Sequence, residues 1–245
     1  MLTKGLINRA FLRHLSDQYC LQFFIVKMSG NQAPKVVGIS PIGPSGSNYI
    51  KPIRLKYTLD GKELAWDCVK AHDSVAIILY HKERNKLIFV KQFRPSLILS
   101  SALKLDAENG IIEADPKIDG YTLEMCAGII DKPGLSHEEI AKEEVLEETG
   151  YDIPVSSLKF VTSSRSSVGL QASLHSIFYA EVIDAQRVNH GGGVDNERIE
   201  VVELSIEESR KLLWCHDKDV QYSRPAHMLL GLSWFIYEYY PKNHS

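Results

Sequence analysis

The stretch GIIDKPGLSHEEIAKEEVLEETGY, from Gly128 to Tyr151, is unusually rich in acidic residues. Six of the eleven positions from Glu138 to Glu148 are glutamate. Ser136 followed three residues later by Glu139 forms a capping box, which marks the start of a helix. Gly150 suits the left-handed position that closes a helix. The pattern therefore predicts a helix over about residues 137–149.

The predicted helix has an apolar side and an acidic side. Ile140, Ala141 and Val145 recur at helical spacing and can face a core. The acidic side consists of residues three and four positions apart: Glu144, Glu147 and Glu148. Like charges at this spacing cost about 0.2–0.5 kcal/mol per pair, and a hard cation such as Mg²⁺ would relieve that cost. The alternative is a solvated acidic face, but the glycines flanking the segment favour a metal site for Mg²⁺, with Mn²⁺ as a possible substitute.

The loop and helix together resemble the signature of the Nudix hydrolase family. Glu144, Val145, Glu147, Glu148 and Gly150 match the second half of that signature.

The first half of the segment departs from the family pattern. The loop carries one extra residue, Leu135 replaces the first glutamate, and Glu143 replaces an arginine that orients a metal-binding glutamate in the family. Lys142 points about 100° away from Glu143 on a helix, so it is a poor substitute.

Other segments narrow the resemblance to the branch that cleaves ADP-ribose and nucleotide sugars. Within that branch the similarity is greatest to animal enzymes that act on UDP-glucose, and it runs from about residue 50 to the C-terminus. Those enzymes share the extra loop residue and the non-acidic residue at position 135, which leaves Glu143 unexplained. The segments that carry the resemblance are 72–75, 90–95, 123–128, 131–135, 168–170, 178–179, 184–187, 191–193 and 195–201.

The resemblance implies an α/β fold, a Nudix α/β/α sandwich with a mixed sheet, preceded by a small N-terminal β region. It implies Mg²⁺-dependent hydrolysis of a UDP-sugar to UMP and a sugar 1-phosphate. ADP-ribose, or nucleoside diphosphate sugars in general, are the rival substrates. Because of Glu143 and Leu135, a module that binds a nucleotide sugar without cleaving it stays open as a different class of function.

Site residues are assigned by the same resemblance. The metal ligands would be Glu144, Glu148, Glu197 and the carbonyl of Ala127. Glu197 would also act as the catalytic base or as its metal partner, with Glu147 assisting. The alternative for Glu197 is an ordinary exposed loop acid.

Substrate contacts are expected from three further residues. Arg94 would grip the diphosphate oxygens, although a surface ion pair is the alternative. Glu124 would support the metal or Arg94, or else face solvent, and the loop around Gly169 would shape the nucleotide or sugar pocket. His72 and His175 are interpreted as structural.

Composition excludes several classes of function. The formal net charge is -3, and no run of Lys or Arg is long enough to follow a nucleic-acid backbone. The four cysteines are far apart, which indicates reduced thiols and a cytoplasmic protein. No apolar run reaches the roughly 18 residues needed to span a membrane. Residues 1–27 are basic, and they predict either a mitochondrial targeting helix or an extension before an alternative start at Met28.

The chain is divided into residues 1–27, a lead-in and β-hairpin over 28–70, and a Nudix domain over 71–245. The hairpin has alternating apolar residues on either side of Asp60-Gly61. Residues 96–119 are weakly patterned and predict a long loop. Further strands are expected over 74–80, 87–90, 158–161, 174–182 and 199–204, and further helices over 206–214 and 226–240. The resemblance implies a homodimer, with the hairpin as its natural interface.

Overall fold

The computed structural model describes residues 34–43, 46–194, 197–216 and 222–243. The predicted targeting or alternative-start segment 1–27 lies outside the described residues. The described part of the lead-in, 34–43 and 46–50, contains no helix or strand.

Eleven strands and five α-helices occupy the described residues. The strands are β1 Lys51–Leu59, β2 Lys62–Lys70, β3 Ser74–His81, β4 Lys86–Phe93, β5 Lys104–Asp106, β6 Ile111–Glu113, β7 Tyr121–Glu124, β8 Cys126–Ile129, β9 Lys159–Ser166, β10 Ser173–Val182 and β11 Ile199–Ser205. The helices are α1 Pro95–Ser100, α2 His137–Glu144, α3 Ile206–Lys211, α4 Ala226–Trp234 and α5 Tyr240–Asn243.

A mixed seven-stranded sheet is the centre of the fold. Its order is β11-β4-β3-β10-β9, with β7 paired to β4 and β8 paired to β3. β10 runs parallel to β3, whereas the other pairs are antiparallel. β7 and β8 are separated only by Met125, so one extended segment leaves β4 and joins β3. This transfer brings the start of the acidic loop next to the middle of the sheet.

Helices cover both faces of this sheet. On one face Val75 and Ile77 of β3 pack in a core with Ile140 and Val145 of the acidic helix. On the other face the sheet packs against α4 and the helical turn that follows it. That second core includes Ala76, Ile78, Tyr179, Met228, Leu232 and Phe235. The predicted α/β/α layering with a mixed sheet is confirmed, because β3 alternates between the two cores.

The N-terminal hairpin forms a separate two-stranded sheet of β1 and β2. Asp60 and Gly61 have φ of 52° and 74°, the left-handed pair that a tight two-residue hairpin turn requires. The predicted hairpin is present, and Leu55 and Trp66 on its apolar face are 54% and 53% exposed. Strand alternation fixes which residues share a face but does not determine what covers that face.

The expected long loop over 96–119 is wrong in part. Its beginning forms α1, and β5 and β6 then make a small hairpin between Lys104 and Glu113. Each of these strands has only three residues, which is too few for the alternation of apolar and polar residues to be recognised in the sequence.

The two C-terminal helices also differ from their expected bounds. α3 ends at Lys211, although its capping box at Ser205 and Glu208 is present. The last helix runs α4, then a π-helical turn Phe235–Tyr239, then α5. No helix among the described residues is both long enough and apolar enough to cross a membrane.

Candidate active site

The acidic helix is built as the sequence predicts and then widens. Ser136 accepts a hydrogen bond from the backbone N–H of Glu139, and the Glu139 carboxylate accepts one from the N–H of Ser136. Residues 145–149 continue α2 as a π-helical turn, and Gly150 closes it with φ of 80°. Single π-turns inside helices are frequent at functional sites. Here the turn carries Glu147 and Glu148.

Glu144 lies directly against the backbone of β8. A Cβ atom added at Gly128 would come within 2.0 Å of the Glu144 carboxyl carbon. Because only glycine leaves room for this carboxylate, the glycine at the start of the segment and the glutamate sixteen positions later form one packing unit. Burial, followed by repulsion from Glu147, raises the pKa of Glu144 to about 7.

Glu148 is the most buried of these carboxylates, with 4% of its surface exposed. Its Oε2 accepts a hydrogen bond of 3.0 Å from the backbone N–H of Ala127. Burial raises the pKa of Glu148 to about 8, although the Ala127 N–H opposes that shift. A buried acid with so little compensation favours either a proton or a cation.

A run of three glycines wraps around the end of the acidic helix. Gly192 and Gly193 donate backbone hydrogen bonds of 2.9 and 3.0 Å to the carbonyls of Glu148 and Glu147. Gly191, Gly192 and Gly193 all have positive φ, and a Cβ at Gly191 would lie 2.3 Å from the Glu148 carbonyl oxygen. The close approach therefore requires glycine.

This glycine loop delivers Glu197 to the acidic cluster. The Glu197 carboxylate accepts a hydrogen bond of 3.2 Å from the N–H of Val194. Its negative charge raises the pKa of Glu144 and also stabilises the Arg94 cation. Glu197 thus lies within electrostatic range of both residues, although it is more than forty positions away from either in sequence.

Arg94 follows β4 and pairs with Glu124 of β7. Its Nε and one terminal nitrogen donate to the two Glu124 oxygens at 2.8 Å each, and the Thr122 hydroxyl donates to the same carboxylate. Burial alone would raise the pKa of Glu124, but the Arg94 cation and Thr122 outweigh burial and lower it. Arg94 is 44% exposed, and its Nη1 has no hydrogen-bond partner among the described residues.

The comparisons with known proteins fit this geometry. The chain is 38% identical over 214 residues to uridine diphosphate glucose pyrophosphatase of Bos taurus, covering 82% of this chain and 95% of that protein. It is 36% identical over 207 residues to the Mus musculus counterpart, covering 80% and 91%. The chain belongs to the Nudix hydrolase family. No family model matches the chain.

One further curated protein aligns with part of the chain, and one solved structure shares its fold. GDP-mannose pyrophosphatase of Cronobacter sakazakii is 32% identical over 137 residues, which is 56% of this chain and 62% of that protein. The crystal structure of an ADP compounds hydrolase superposes with a TM-score of 0.56 at 16% identity, covering 89% of this chain and 99% of the other. At that identity the likeness concerns the fold alone.

Most of the sequence-predicted site residues meet at one place in this Nudix fold. The residues joined there by hydrogen bonds, close packing or electrostatic effects are Arg94, Glu124, Ala127, Glu144, Glu147, Glu148 and Glu197. Gly169 is different: its carbonyl accepts a 2.9 Å hydrogen bond from the Trp66 indole of the hairpin. No contact among the described residues joins it to the carboxylates.

Carboxylates of this kind fit a divalent cation, which Nudix hydrolases generally use. Hard cations take carboxylate and carbonyl oxygens, and the buried acids here lack enough positive partners to stay ionised at low cost. The donor set would be Glu144, Glu148, Glu197 and the Ala127 carbonyl, although no choice of one oxygen from each of the three carboxylates brings all three within 4.8 Å of one another in the structure.

A second acidic group lies at the far end of β3 and is less available to a cation. His81, Glu83 and Asp184 have ligand atoms within 4.8 Å of one another. The His81 ring is already engaged on both sides, by Asp184 at 3.2 Å and by the backbone N–H of Arg84 at 3.3 Å. Arg84 also pairs with Asp184. The charges of this cluster are therefore compensated within the chain.

Sequence reasoning missed His227 and Lys132. The His227 ring stacks on His175 with centroids 4.9 Å apart, and burial lowers the pKa of His227 to about 4. No motif surrounds His227, so nothing in the sequence indicated this pair. Lys132 forms ion pairs with the acidic helix, and its signal was present as the cation in the loop ahead of it.

Replacing Gly128 with alanine should disrupt the cation site, because the new Cβ would collide with the Glu144 carboxylate. We expect the affinity for Mn²⁺ to fall by about 10-fold or more, measured by titration calorimetry. Gly169→Ala is the matched control, since nothing lies within 4 Å of its added Cβ. Equal affinities in the two variants would contradict this placement of Glu144.

The raised pKa values of Glu144 and Glu148 also predict how the metal-free protein responds to pH. The folded protein retains protons that the unfolded chain releases above the reference pKa of 4.5. The free energy of unfolding therefore falls as pH rises from about 4.5 to 8. We expect the melting temperature in EDTA to drop between pH 5.5 and 8, and Mg²⁺ to raise it more at pH 8, where protons compete less. A Glu148→Gln variant should flatten both effects; a pH-independent wild type would refute the assignment.

Proposed function

We propose that the protein hydrolyses the pyrophosphate bond of UDP-sugars such as UDP-glucose, giving UMP and a sugar 1-phosphate. The observation that carries this proposal is that the buried Glu148 and partly buried Glu144 of one helix lie within electrostatic range of the exposed Glu197 and of Arg94, which come from distant segments. The names of the bovine and mouse relatives, which align over most of their length, support UDP-glucose as the substrate.

Glu144, Glu148, Glu197 and the Ala127 carbonyl are proposed to hold Mg²⁺, with Mn²⁺ able to replace it. The bound cation would neutralise charge on the diphosphate and lower the pKa of a bound water. The Ala127 N–H fixes one Glu148 oxygen, so the other oxygen keeps a defined orientation. Gly128 gives the Glu144 carboxylate access to the same space.

The substrate diphosphate would be held by Arg94. The Glu124 carboxylate accepts hydrogen bonds from two nitrogens of the Arg94 guanidinium. This bidentate pairing fixes the plane of the guanidinium, and therefore the direction of its remaining nitrogen, Nη1. The pair thus provides an oriented positive edge next to the carboxylates. The Gly169 loop, fastened by Trp66, is proposed to shape the nucleotide or sugar pocket.

Glu197 is proposed as the base that takes a proton from the attacking water, with Glu147 assisting. Glu197 follows the glycine run that packs on the end of the helix, and its charge acts on Glu144, which supports a role at the same site. A water delivered in line and a charge-stabilised leaving group are the requirements of phosphoryl transfer.

The substrate assignment is tested by incubating the protein with Mg²⁺ and equal amounts of UDP-glucose, ADP-ribose and GDP-mannose. We expect UMP and glucose 1-phosphate to form fastest, because relatives named for UDP-glucose cover most of the chain. The products are quantified by ion-exchange chromatography. Faster release of AMP or GMP would overturn the UDP-sugar assignment, and binding without turnover would overturn the enzymatic one.

Glu148→Gln provides the site control for the same assay. It should lose most activity while keeping its fold, whereas Glu138→Gln, on the same helix but outside the cluster, should retain it. Near-full activity of Glu148→Gln would refute the ligand role.

We further propose that the protein is a homodimer joined through the β1–β2 hairpin. The pairing register places Leu55 opposite Trp66 and Tyr57 opposite Leu64, so these apolar side chains share one face. All four are exposed, and an exposed apolar face of this kind marks an interaction site.

The dimer is tested by light scattering coupled to size exclusion. We expect a dimeric wild type and a monomeric Leu55→Glu variant, because the new charge would be buried in the interface. Lys56→Glu is the control, since Lys56 points to the opposite face of the strand. A monomeric wild type would refute the proposal.

The proposed location is the cytoplasm, or the mitochondrion if residues 1–27 are a transit peptide. The free thiols Cys68 and Cys126 support a reducing compartment. The proposed division into residues 1–27, 28–70 and 71–245 accords with the separate sheet that β1 and β2 form.

A further inference from the structure

We propose that Lys132 is a positioning residue for the carboxylates of the Nudix helix. Its ammonium, held between Glu143 and Glu147, fixes the β8–α2 loop against the helix and sets the acidic edge that faces the cation. The inference rests on the proposed function, because it concerns the same site.

The geometry of the contact carries the first step. Lys132 Nζ lies 2.5 Å from Glu143 Oε2 and 3.9 Å from Glu147 Oε1. Glu143 and Glu147 are four positions apart on the helix and repel each other. The Lys132 ammonium lies between the two carboxylates and offsets their repulsion. Because it pairs with both, it restrains the side-chain rotamers of both.

Charge distribution along the helix carries the second step. Lys142, the helix's own cation, pairs with Asp152 at 3.2 Å on another side. Among the described residues, no other Lys or Arg forms an ion pair with Glu143, Glu144 or Glu147. Lys132 also attracts the neighbouring Glu144 carboxylate. Through Lys132 the loop therefore supplies the positive charge that the acidic edge of the helix lacks. It also gives Glu143, which departs from the family pattern, an ion-pair partner.

The loop's connections carry the third step. Lys132 stands between β8, whose Ala127 and Gly128 contact the carboxylates, and the capped start of α2. An attachment at Lys132 ties the strand side of the site to its helix side. The Lys132, Glu143 and Glu147 side chains are 45%, 41% and 31% exposed, so the ion pairs add little to folding stability. Loss of these ion pairs should therefore change cation binding at the site and leave the melting temperature unchanged.

The test compares Lys132→Gln with Lys142→Gln, which removes the same charge from the same segment. Mn²⁺ binding to the substrate-free protein is measured by titration calorimetry. Loss of a positive charge alone would strengthen cation binding. We expect Lys132→Gln to bind Mn²⁺ about 10-fold more weakly, because the carboxylates lose their orientation, and Lys142→Gln to match the wild type. Unchanged or tighter binding by Lys132→Gln would overturn the inference, as would an equal loss in Lys142→Gln.

Rescue variants separate orientation from charge. Lys132→Arg should keep most of the wild-type affinity and turnover of UDP-glucose. Lys132→Glu combined with Glu143→Lys keeps the net charge and rebuilds the pair in reverse, so it should recover most of what Lys132→Glu alone loses. In Lys132→Gln we expect kcat to fall about 10-fold with little change in KM or in melting temperature. A combined variant no better than Lys132→Glu, or a Lys132→Gln with wild-type kcat, would refute the positioning role.

The two proposals fail in different ways. A wild type that binds Mn²⁺ but does not cleave UDP-glucose refutes the proposed function, while the Mn²⁺ comparison of the variants still decides the role of Lys132. A wild type that cleaves UDP-glucose, with Mn²⁺ affinity unaffected by Lys132→Gln, refutes only the positioning role.

Discussion

Negative charge buried at the end of one helix is the constraint around which the site is organised. Glu148 is almost fully enclosed, Glu144 lies against the β8 backbone, and Glu197 adds its charge from a separate loop. Burial and mutual repulsion raise the pKa values of Glu144 and Glu148, so the protein holds these acids in a state that a proton or a divalent cation stabilises. The opposite side of the helix buries Ile140 and Val145 in the core, and this packing offsets the free-energy cost of burying the acids.

Glycine makes this crowding possible. Gly128 leaves room for the Glu144 carboxylate, and the 191–193 loop approaches the helix end so closely that side chains would collide with its carbonyls. The loop satisfies the helix's terminal acceptors through Gly192 and Gly193 and brings Glu197 forward in the same step. The same loop therefore ends the helix and places Glu197 near the site.

Arg94, Lys132 and Lys142 are each held by acidic partners of their own. Arg94 is held by two hydrogen bonds to Glu124, so the remaining edge of its guanidinium keeps one direction. Lys132 compensates the outer acids Glu143 and Glu147, and Lys142 is engaged with Asp152 on another side of the helix. Glu144 and Glu148 are left without a direct ion pair among the described residues, which keeps their oxygens available to a metal.

Sequence by itself determined the local elements and the identity of the acidic cluster. The capping box at Ser136, the closing Gly150, the Asp60-Gly61 turn and the strands expected over 74–80 and 174–182 depend on residues close in the chain, and each is found as predicted. The Nudix resemblance supplied Arg94, Glu124 and Glu197. Tertiary structure alone decided what these residues touch: Arg94 grips Glu124, Gly169 is fastened by Trp66, and Glu143 is answered by a lysine eleven positions earlier. Such contacts depend on the register of strands and the path of loops, which bring distant residues together in ways that local patterns of hydrophobicity and charge do not encode.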